Sequence, residues 1–348
     1  MSHVRVGVVG TGGIARSRQI PCLLRDSRVA LVAAADPSEE ALALAASEGN
    51  IPSTYADYRE MLEREHLDAV VVCTPNKFHA PVTIDALRQG AHVLCEKPMA
   101  RNAEEARAML KAAREHGKIL DIAYRFRFQA EAQAAKRVID GGELGEIYMV
   151  RVNFLRRRLI PSWGVFANKD LQGGGAMIDC GVHLLDLALW LCGNPEPVEV
   201  MGVTSHRLGS KPGVNVWGPW DHEHFEVEDH AAGFIRLRNG GALQIEASWA
   251  LNVPQHQETI SISGTEGGLD VYPFRVNKAA YGMLLDWTPD WMPHQGEPEW
   301  DRQMDDFISA IVEGREPLVK PEEALRVNEI VDAIYRSAET GAAVRLDA

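Results

Sequence analysis

The sequence has few cysteines, and no two of them form the Cys-x-x-Cys spacing that is typical of metal and redox sites. This scattered, odd-numbered set argues against a disulfide framework and predicts reduced thiols in a cytoplasmic protein. A Gly-x-Ser-x-Gly nucleophile motif is absent as well, which argues against a serine hydrolase. The five cysteines are Cys22, Cys73, Cys95, Cys180 and Cys192.

Basic side chains are also in deficit, with 36 Lys and Arg against 49 Asp and Glu and a net charge of −13. A protein that binds nucleic acid needs a basic surface, and the one concentrated basic run, Arg156–Arg158, is too short to make one. The sequence lacks an apolar run of about 18 residues, so we expect no membrane span. Its start, "MSHVRVGVVG", has no signal-peptide core and leads directly into a strand pattern.

With 348 residues, the chain exceeds the usual size of a single hydrophobic core, so we expect two domains. Residues 1–124 alternate between strand and helix patterns, which predicts a parallel sheet covered by helices on both faces. Asn102 is positioned to cap a helix that Gly117 ends. The predicted strands are apolar runs at Val4–Val9, Val29–Ala35, Leu67–Cys73, Ala91–Cys95 and Lys118–Ala123.

Strand patterns dominate after residue 124, with one helical pattern at Ala176–Leu191 among them. Asn239-Gly240 joins two of these strands and is a strong hairpin signal. Residues 125–299 are therefore predicted to form an α+β domain with an antiparallel or mixed sheet. Residues 206–228 are predicted to form a long irregular loop. The predicted strands lie at Ile147–Leu155, Pro197–Thr204, Ala231–Leu237, Ala242–Ala250, Thr259–Gly264 and Leu269–Tyr272.

The stretch "VGVVGTGGIA" places glycines at a strand-to-helix turn. Gly10 permits the tight turn, Gly12 lets the backbone approach a pyrophosphate, and Ala15 allows close packing of helix and strand. Gly13 and Ile14 continue the turn towards a helix N-terminus that would face the phosphates. By itself, this spacing is also that of an ordinary turn between a strand and a helix.

Asp36 ends the second predicted strand and is placed to accept hydrogen bonds from the ribose hydroxyls of a dinucleotide. Together with the glycine turn, this residue predicts dinucleotide binding. Asp36 would repel a 2′-phosphate, and Pro37-Ser38-Glu39 supplies no Arg to hold one, which favours NAD over NADP. The alternative is that Asp36 caps the next helix, a role for which Ser38 is an equal candidate.

A second cluster of polar residues lies in "GGGAMIDCGVHLLDLALWL". Asp179 and His183 are four residues apart and therefore share one face of the predicted helix, with Asp186 close to it. His183 is suited to accept a proton from a substrate hydroxyl, and Asp179 to orient it or to hold the substrate. Glycines 173–175 let the chain approach a neighbouring group closely. The alternative is an Asp–His pair that only supports the helix.

Taken in order, "GTGGIA", Asp36, "VCTPNKFH", "CEKP" and "DCGVHLLD" closely resemble the motifs of the Gfo/Idh/MocA family, the relatives of glucose–fructose oxidoreductase and inositol dehydrogenase. The resemblance covers nearly the whole chain. It implies a Rossmann domain followed by an α+β domain built on a large open, mainly antiparallel sheet. It also implies that helices within about 300–348 return to the first domain, and that the open sheet pairs with another subunit in a homodimer or homotetramer.

The resemblance also implies roles for individual residues. In this family the Lys of a Glu-Lys-Pro motif sits beside the nicotinamide, and in this sequence that residue is Lys97. The Asp and His of the family correspond to Asp179 and His183. The residues implied near the cofactor are Thr74, Pro75, Asn76, His79 and Glu96, and those implied on the substrate side are Tyr124 and Arg125.

Two further groups of residues lie outside these motifs. Arg156 and Trp163 follow a strand of the second domain and are suited to contact a sugar through hydrogen bonds and a flat aromatic face. The alternative is a solvated edge with a half-buried Trp. The loop "WDHEHFEVEDH" holds His222, His224 and His230, but no Cys is close in sequence. We therefore expect no metal site and interpret the loop as a charged lining of the substrate cleft.

These observations predict a cytoplasmic NAD-dependent oxidoreductase that transfers a hydride between a secondary alcohol or lactol carbon of a sugar or cyclitol and the nicotinamide. Hydride leaves readily only if the hydroxyl on that carbon loses its proton, for which neutral His is a suitable base and a Lys cation a suitable partner. Two alternatives stay open: a lyase or glycosidase that oxidises its substrate transiently, and a non-catalytic NAD-binding sensor. A sensor needs no proton relay, so Lys97, Asp179 and His183 count against it.

Overall fold

In the computed structural model, residues 3–346 are described, and they divide into two compact units. The first unit contains the described residues up to Arg125 together with Pro298–Leu325. The second contains Phe126–Glu297 together with the described residues from Arg326 on. The chain therefore passes from the first unit to the second twice.

The first unit is built on a parallel sheet. Among the described residues, six strands take the order β3-β2-β1-β4-β5-β6, the doubly wound order of dinucleotide-binding domains. The strands are continuous apolar runs, as is usual where helices cover both faces of a sheet. They are β1 (Val4–Val9), β2 (Val29–Ala35), β3 (Ser53–Tyr55), β4 (Ala69–Val72), β5 (His92–Cys95) and β6 (Leu120–Ile122).

Five helices of the described chain connect these strands: α1 (Ile20–Arg25), α2 (Glu39–Gly49), α3 (Tyr58–Arg64), α4 (His79–Arg88) and α5 (Ala103–His116). A π-helical turn, Ala15–Gln19, precedes α1. The predicted ends of α5 are confirmed: Asn102 accepts a hydrogen bond from Glu105 N at 2.9 Å, and Gly117 closes the helix with φ 61°.

The second unit is built on a mixed sheet. In this unit, nine strands of the described chain take the order β14-β13-β12-β11-β7-β10-β9-β8-β15. Every neighbouring pair is antiparallel except β7 with β10. The strands are β7 (Ile147–Leu155), β8 (Pro197–Ser205), β9 (His230–Leu237), β10 (Ala242–Ser248), β11 (Gln257–Gly264), β12 (Gly268–Asp270), β13 (Arg275–Ala280), β14 (Met283–Trp287) and β15 (Val344–Arg345).

Helices of the second unit include one that the sequence analysis does not predict. This helix, α6 (Ala130–Asp140), buries Ala130, Ala132, Ala134 and Ala135, small side chains that give a weak apolar signal. The predicted helix at 176–191 is a π-helical turn, Met177–Gly181, followed by α8 (Val182–Leu191). A single turn, α7 (Lys169–Gln172), precedes them.

The last two helices are α9 (Glu299–Glu313) and α10 (Pro321–Thr340). Met304, Phe307 and Ile308 of α9 lie in the hydrophobic core of the first unit. The residues of α10 from Arg326 on are grouped with the second unit, whereas the resemblance implies that helices within about 300–348 return to the first domain. This part of α10 fits closely against β8, since a Cβ on Gly202 would lie 2.6 Å from Ile334 O.

The sequence analysis expects no membrane span, and by length and composition alone the segment Lys169–Leu191 could form one. Among the described residues it is the one helical segment that has the length and composition of a span. However, 89% of its apolar window is buried inside the structure. The segment is therefore a core element of the second unit, and its apolar face packs against β7 and the neighbouring strands.

Candidate active site

The predicted phosphate-binding turn lies between β1 and the first helical turn. Gly10 has φ 86°, a left-handed conformation that favours glycine. A Cβ at this position would lie 2.7 Å from Cys73 O and 2.8 Å from Thr74 N, so the turn packs directly on the chain that follows β4. Gly10 N also donates to Ala35 O at 2.8 Å. Gly10 therefore joins three strand ends at the carboxyl edge of the sheet.

The next glycines border open space. A Cβ on Gly12 or Gly13 would meet no heavy atom within 4 Å, whereas Ala15 is fully buried against the sheet. The Oγ1 atom of Thr11 is buried and has no hydrogen-bond partner among the described residues. Ile14 lies partly exposed beside this space. These residues fit a dinucleotide pyrophosphate, because backbone N–H groups at a helix start adjoin a space without side chains.

Asp36 follows β2 at the same edge and accepts two backbone hydrogen bonds. Thr11 N donates to its Oδ2 at 2.7 Å, and Ser38 N donates to its Oδ1 at 2.8 Å. The helix cap of α2 is Ser38, whose hydroxyl accepts from Ala41 N. Asp36 is therefore not the capping residue, and each of its oxygens keeps a lone pair that can accept from a ribose hydroxyl.

The chain after β4 carries Thr74, Pro75 and Asn76 and begins a 3-10 turn, Asn76–Phe78. His79 follows and is buried, with Nδ1 2.7 Å from Pro98 O and Nε2 2.9 Å from Thr74 O. Burial lowers the pKa of His79 to about 4, although both carbonyl oxygens favour its protonated form. The ring thus connects the loop after β4 with the loop after β5, and its nitrogens contact backbone rather than open space.

Glu96 and Lys97 follow β5 at this edge. Glu96 is buried and accepts a hydrogen bond from Gln19 Nε2 at 2.7 Å. Burial raises the pKa of the Glu96 carboxyl, while the Lys97 and Arg125 cations oppose that shift. Lys97 N lies 3.3 Å from Glu96 Oε2. The buried glutamate therefore ties the loop of Lys97 to the helical turn that follows the glycines.

Tyr124 and Arg125 follow β6. The side chain of Tyr124 is fully buried. The Arg125 guanidinium donates to Glu299 Oε1, and it lies 4.7 Å from the centre of the Trp300 ring. The structure thus places Arg125 against the first turn of α9, a contact that the sequence analysis does not predict.

In the second unit, Asp179 lies in the π-helical turn before α8. Trp249 Nε1 donates to its Oδ2 at 2.9 Å, and Cys180 Sγ lies 3.3 Å from the same oxygen. Trp249 is fully buried at the end of β10, so it fixes the orientation of this carboxylate. π-helical turns of this kind occur frequently at functional sites.

His183 is buried in the first turn of α8, and its ring stacks on Phe126 with a centroid distance of 4.9 Å. Asp186, one turn further, is not available to a substrate. Both of its oxygens accept from the Arg127 guanidinium, at 2.8 and 2.6 Å, in a fully buried ion pair. Asp179 and His183 are therefore the polar residues of this helix that stay as candidates for chemistry.

The glycines before this helix approach Glu228, a residue that the sequence analysis does not single out. A Cβ on Gly175 would lie 2.0 Å from Glu228 O. The Glu228 carboxylate accepts from Gly175 N at 2.7 Å, Met177 N at 3.0 Å and Tyr335 Oη at 2.8 Å. Burial nevertheless raises its pKa. Glu228 thus occupies the N-terminus of the helix that carries Asp179 and His183 and fixes its position.

Arg156 and Trp163 lie in one aromatic cluster. The Arg156 guanidinium is 5.0 Å from the centre of the Trp217 ring, and Trp163 lies 4.9 Å from Trp217. Phe166 is 6.3 Å from Trp163 on one side and 6.4 Å from Trp249 on the other. The structure therefore connects both predicted residues to Trp249, which binds Asp179.

The histidines of the 206–228 region and its end do not converge. His224 contacts Asp221 at 2.8 Å on the exposed surface, whereas His230 contacts Glu246 at 2.9 Å on β10. Over residues 3–346, no group of three or more His, Cys, Asp or Glu side chains is arranged to hold a metal ion.

A doubly wound sheet with a glycine turn and an acidic residue at its carboxyl edge defines a dinucleotide-binding unit. The second unit adds an Asp–His helix beside a large open sheet. This combination defines a class, the two-domain nicotinamide-dependent oxidoreductases.

The chain belongs to the Gfo/Idh/MocA family within that class. Residues 4–124 match "Oxidoreductase family, NAD-binding Rossmann fold", and residues 132–270 match "GFO/IDH/MocA C-terminal domain". The predicted family and fold class are thereby confirmed, and the chain is an oxidoreductase.

Several known proteins are similar along nearly their whole length. D-glucoside 3-dehydrogenase of Escherichia coli K12 is 35% identical over 99% of this chain and 98% of its own. D-xylose 1-dehydrogenase (NADP(+)) 2 of Haloferax volcanii is 30% identical over 98% and 99%. Levoglucosan dehydrogenase in complex with NADH has a similar structure, with a TM-score of 0.83, 25% identity and 99% of both chains covered. Relatives of this chain are thus sugar dehydrogenases that use NAD or NADP.

Proposed function

We propose that the protein is a cytoplasmic NAD-dependent dehydrogenase that oxidises a secondary alcohol or lactol of a sugar or cyclitol. The observation that carries this proposal is the position of Lys97. It follows β5 at the sheet edge where the glycine turn and Asp36 lie, next to the buried Glu96. A charged side chain at the end of a buried strand is costly unless it has a partner or a function. A reacting hydroxyl next to a nicotinamide would give Lys97 such a function.

In the proposed reaction, NAD supplies the hydride acceptor when it is bound. His183 accepts the proton of the substrate hydroxyl at a ring nitrogen, and Phe126 keeps the ring plane fixed by stacking. Lys97 stabilises the negative charge that develops on the oxygen. Asp179, oriented by Trp249, holds a substrate hydroxyl or the His183 ring. Thr74, Pro75 and Asn76 border the cofactor, while His79 and Glu96 support this border.

The proposal includes a preference for NAD over NADP. The Asp36 carboxylate is held in place by two backbone N–H groups. Its negative charge disfavours the binding of a 2′-phosphate beside it. No Arg or Lys occurs among Pro37, Ser38 and Glu39 to offset that charge. Because a sugar dehydrogenase that uses NADP occurs among the relatives, family membership alone does not decide between NAD and NADP. The proposed preference for NAD therefore rests on the charge at Asp36.

A screen for NADH formation tests the proposed function, with aldoses, cyclitols, glycosides and anhydrosugars offered with NAD and with NADP. We expect kcat/KM to be at least about tenfold higher with NAD on the best substrate. The variant His183→Ala should keep its affinity for NAD and lose about 10²- to 10⁴-fold in kcat. A matched control, His206→Ala on the second-unit loop, should keep wild-type activity.

Two results would overturn the proposal. Unchanged kcat in His183→Ala, on a substrate that the wild type oxidises well, would show that another residue accepts the proton. Consumption of a glycoside without any net NADH would instead indicate transient oxidation followed by cleavage.

A further inference from the structure

The aromatic cluster of the second unit extends outward from Asp179. Trp249 donates to Asp179, Phe166 is 6.4 Å from Trp249, and Trp163 is 6.3 Å from Phe166. Exposure rises along this path, from 1% at Trp249 to 53% at Trp163. The Trp163 ring is therefore half exposed at the outer end of this path, two rings away from Trp249, the residue that holds Asp179.

The outer end of the cluster is held in place by backbone contacts. The Trp217 ring lies beside Trp163 at a centroid distance of 4.9 Å with the two planes tilted by 58°, and the Trp217 carbonyl accepts from Ser162 Oγ at 2.5 Å. Asn215 binds both backbone groups of Ile160, with distances of 2.9 and 2.8 Å. The 206–228 loop is thus held against the segment that carries Trp163, which preorganises the backbone at both tryptophans.

Arg156 completes this surface. Its guanidinium lies between the Phe154 and Trp217 rings, 4.9 and 5.0 Å from their centres. Within the described chain, no carboxylate is close enough to Arg156 to form an ion pair. A guanidinium that is packed on rings and lacks an acidic partner offers its N–H donors to a ligand hydroxyl.

From these contacts we infer that Trp163, Trp217 and Arg156 form an outer sugar subsite, which binds a second pyranose ring attached to the sugar that is oxidised. The C–H face of a pyranose is apolar and packs on an indole face, while its ring hydroxyls accept from a guanidinium. The inference rests on the proposed function and narrows it: the substrate is a disaccharide-like glycoside rather than a free monosaccharide.

Binding measurements test this subsite without turnover. With NADH bound, an alcohol substrate cannot be oxidised, so calorimetry reports affinity alone. The probes are matched pairs with one or two rings: methyl α-D-glucopyranoside with maltose, methyl β-D-glucopyranoside with cellobiose, and methyl β-D-galactopyranoside with lactose. We expect the two-ring member of at least one pair to bind about tenfold or more tightly than its partner.

Variants then locate the source of that preference. Trp163→Ala should abolish the preference for the second ring and leave the affinity for the methyl glycoside within about threefold. Trp163→Phe should keep most of the preference, since it retains an aromatic face. The control is Trp291→Ala, which removes a tryptophan that is 71% exposed elsewhere in the second unit.

The outcomes separate the subsite from the function. Equal affinity for one and two rings in every pair, or a preference that survives in Trp163→Ala, would overturn the subsite. A wild-type protein that prefers two rings but forms no NADH from any of the sugars would retain the subsite and overturn the proposed function. NADH formation together with equal affinities for one and two rings would retain the proposed function and overturn the subsite.

Discussion

At the scale of single residues, His79 has the clearest physical consequence. The ring is fully enclosed by the first unit and contacts the carbonyl oxygens of Thr74 and Pro98, with Lys97 and Glu105 as the nearby charges. Burial dominates and lowers the pKa from 6.5 to about 4. The folded protein therefore keeps His79 neutral under conditions in which the unfolded chain protonates it.

This difference predicts acid sensitivity. As the pH falls through 6.5 towards about 4, the unfolded chain takes up a proton that the folded chain does not, so the free energy of unfolding decreases. The loss through His79 is at most about 3 kcal/mol. Urea unfolding across this pH range should show a gap between wild type and His79→Gln that narrows as the pH falls. The exposed His116→Gln on α5 is the control, and parallel curves for wild type and His79→Gln would contradict the assignment.

The sequence identifies candidate residues better than it identifies their partners. Asp179 and His183 follow from a four-residue spacing, but Trp249 lies far from Asp179 in the sequence, and no local pattern connects them. Glu228 cannot be identified from the sequence for the same reason. Its carboxylate oxygens accept hydrogen bonds from Gly175 N and Met177 N, which come close to Glu228 only after the chain has folded. The one sequence signal is the run of glycines at 173–175, which predicts a close approach without naming the group approached.

At the scale of elements, two glycines of the phosphate-binding turn have different roles. Gly10 is needed for stability, and Gly12 leaves room for the cofactor. Gly10→Ala places a Cβ at φ 86° and 2.7 Å from Cys73 O, so it should destabilise the protein by about 1–3 kcal/mol. Gly12→Ala places its Cβ in open space, so it should change the melting temperature little and weaken NAD binding about tenfold or more. Thermal unfolding and NAD titration by tryptophan fluorescence measure both effects. Equal losses of stability in the two variants would contradict the open space at Gly12, and unchanged NAD affinity in Gly12→Ala would show that this space does not bind the cofactor.

The regular elements follow from the sequence where strands are apolar and long. The predicted bounds of β1, β2 and β7 agree with the structure, because continuous or alternating apolar runs specify them. The hairpin of β13 and β14 is not predicted. Its two-residue turn, Tyr281-Gly282, has φ of 56° and 73° without the Asn-Gly signal, and its strands are largely exposed. β3 is missed because it has three residues and little apolar character.

At the scale of the whole molecule, the nine-stranded sheet has one face that α8 and α10 do not cover. On β8 and β9 the exposed side chains alternate with buried ones, so they share a face. Met201 is paired opposite Phe234, and Val203 lies two residues further along the same face. These three apolar side chains are 46–58% exposed. A patch of this kind on a sheet face is typical of a protein–protein interface.

We therefore expect this face to pair with another copy of the chain, giving a dimer or tetramer. Phe234→Lys adds a charge at the centre of the patch, and burying that charge without a partner would cost more than the interface gains. Light scattering should show the wild type as an oligomer at micromolar concentration and Phe234→Lys as a smaller species that is still folded. The control is Val312→Lys on α9, where the replaced side chain is 50% exposed but belongs to the first unit. A monomeric wild type would contradict the expectation, and an oligomer that persists in Phe234→Lys would place the interface on another surface.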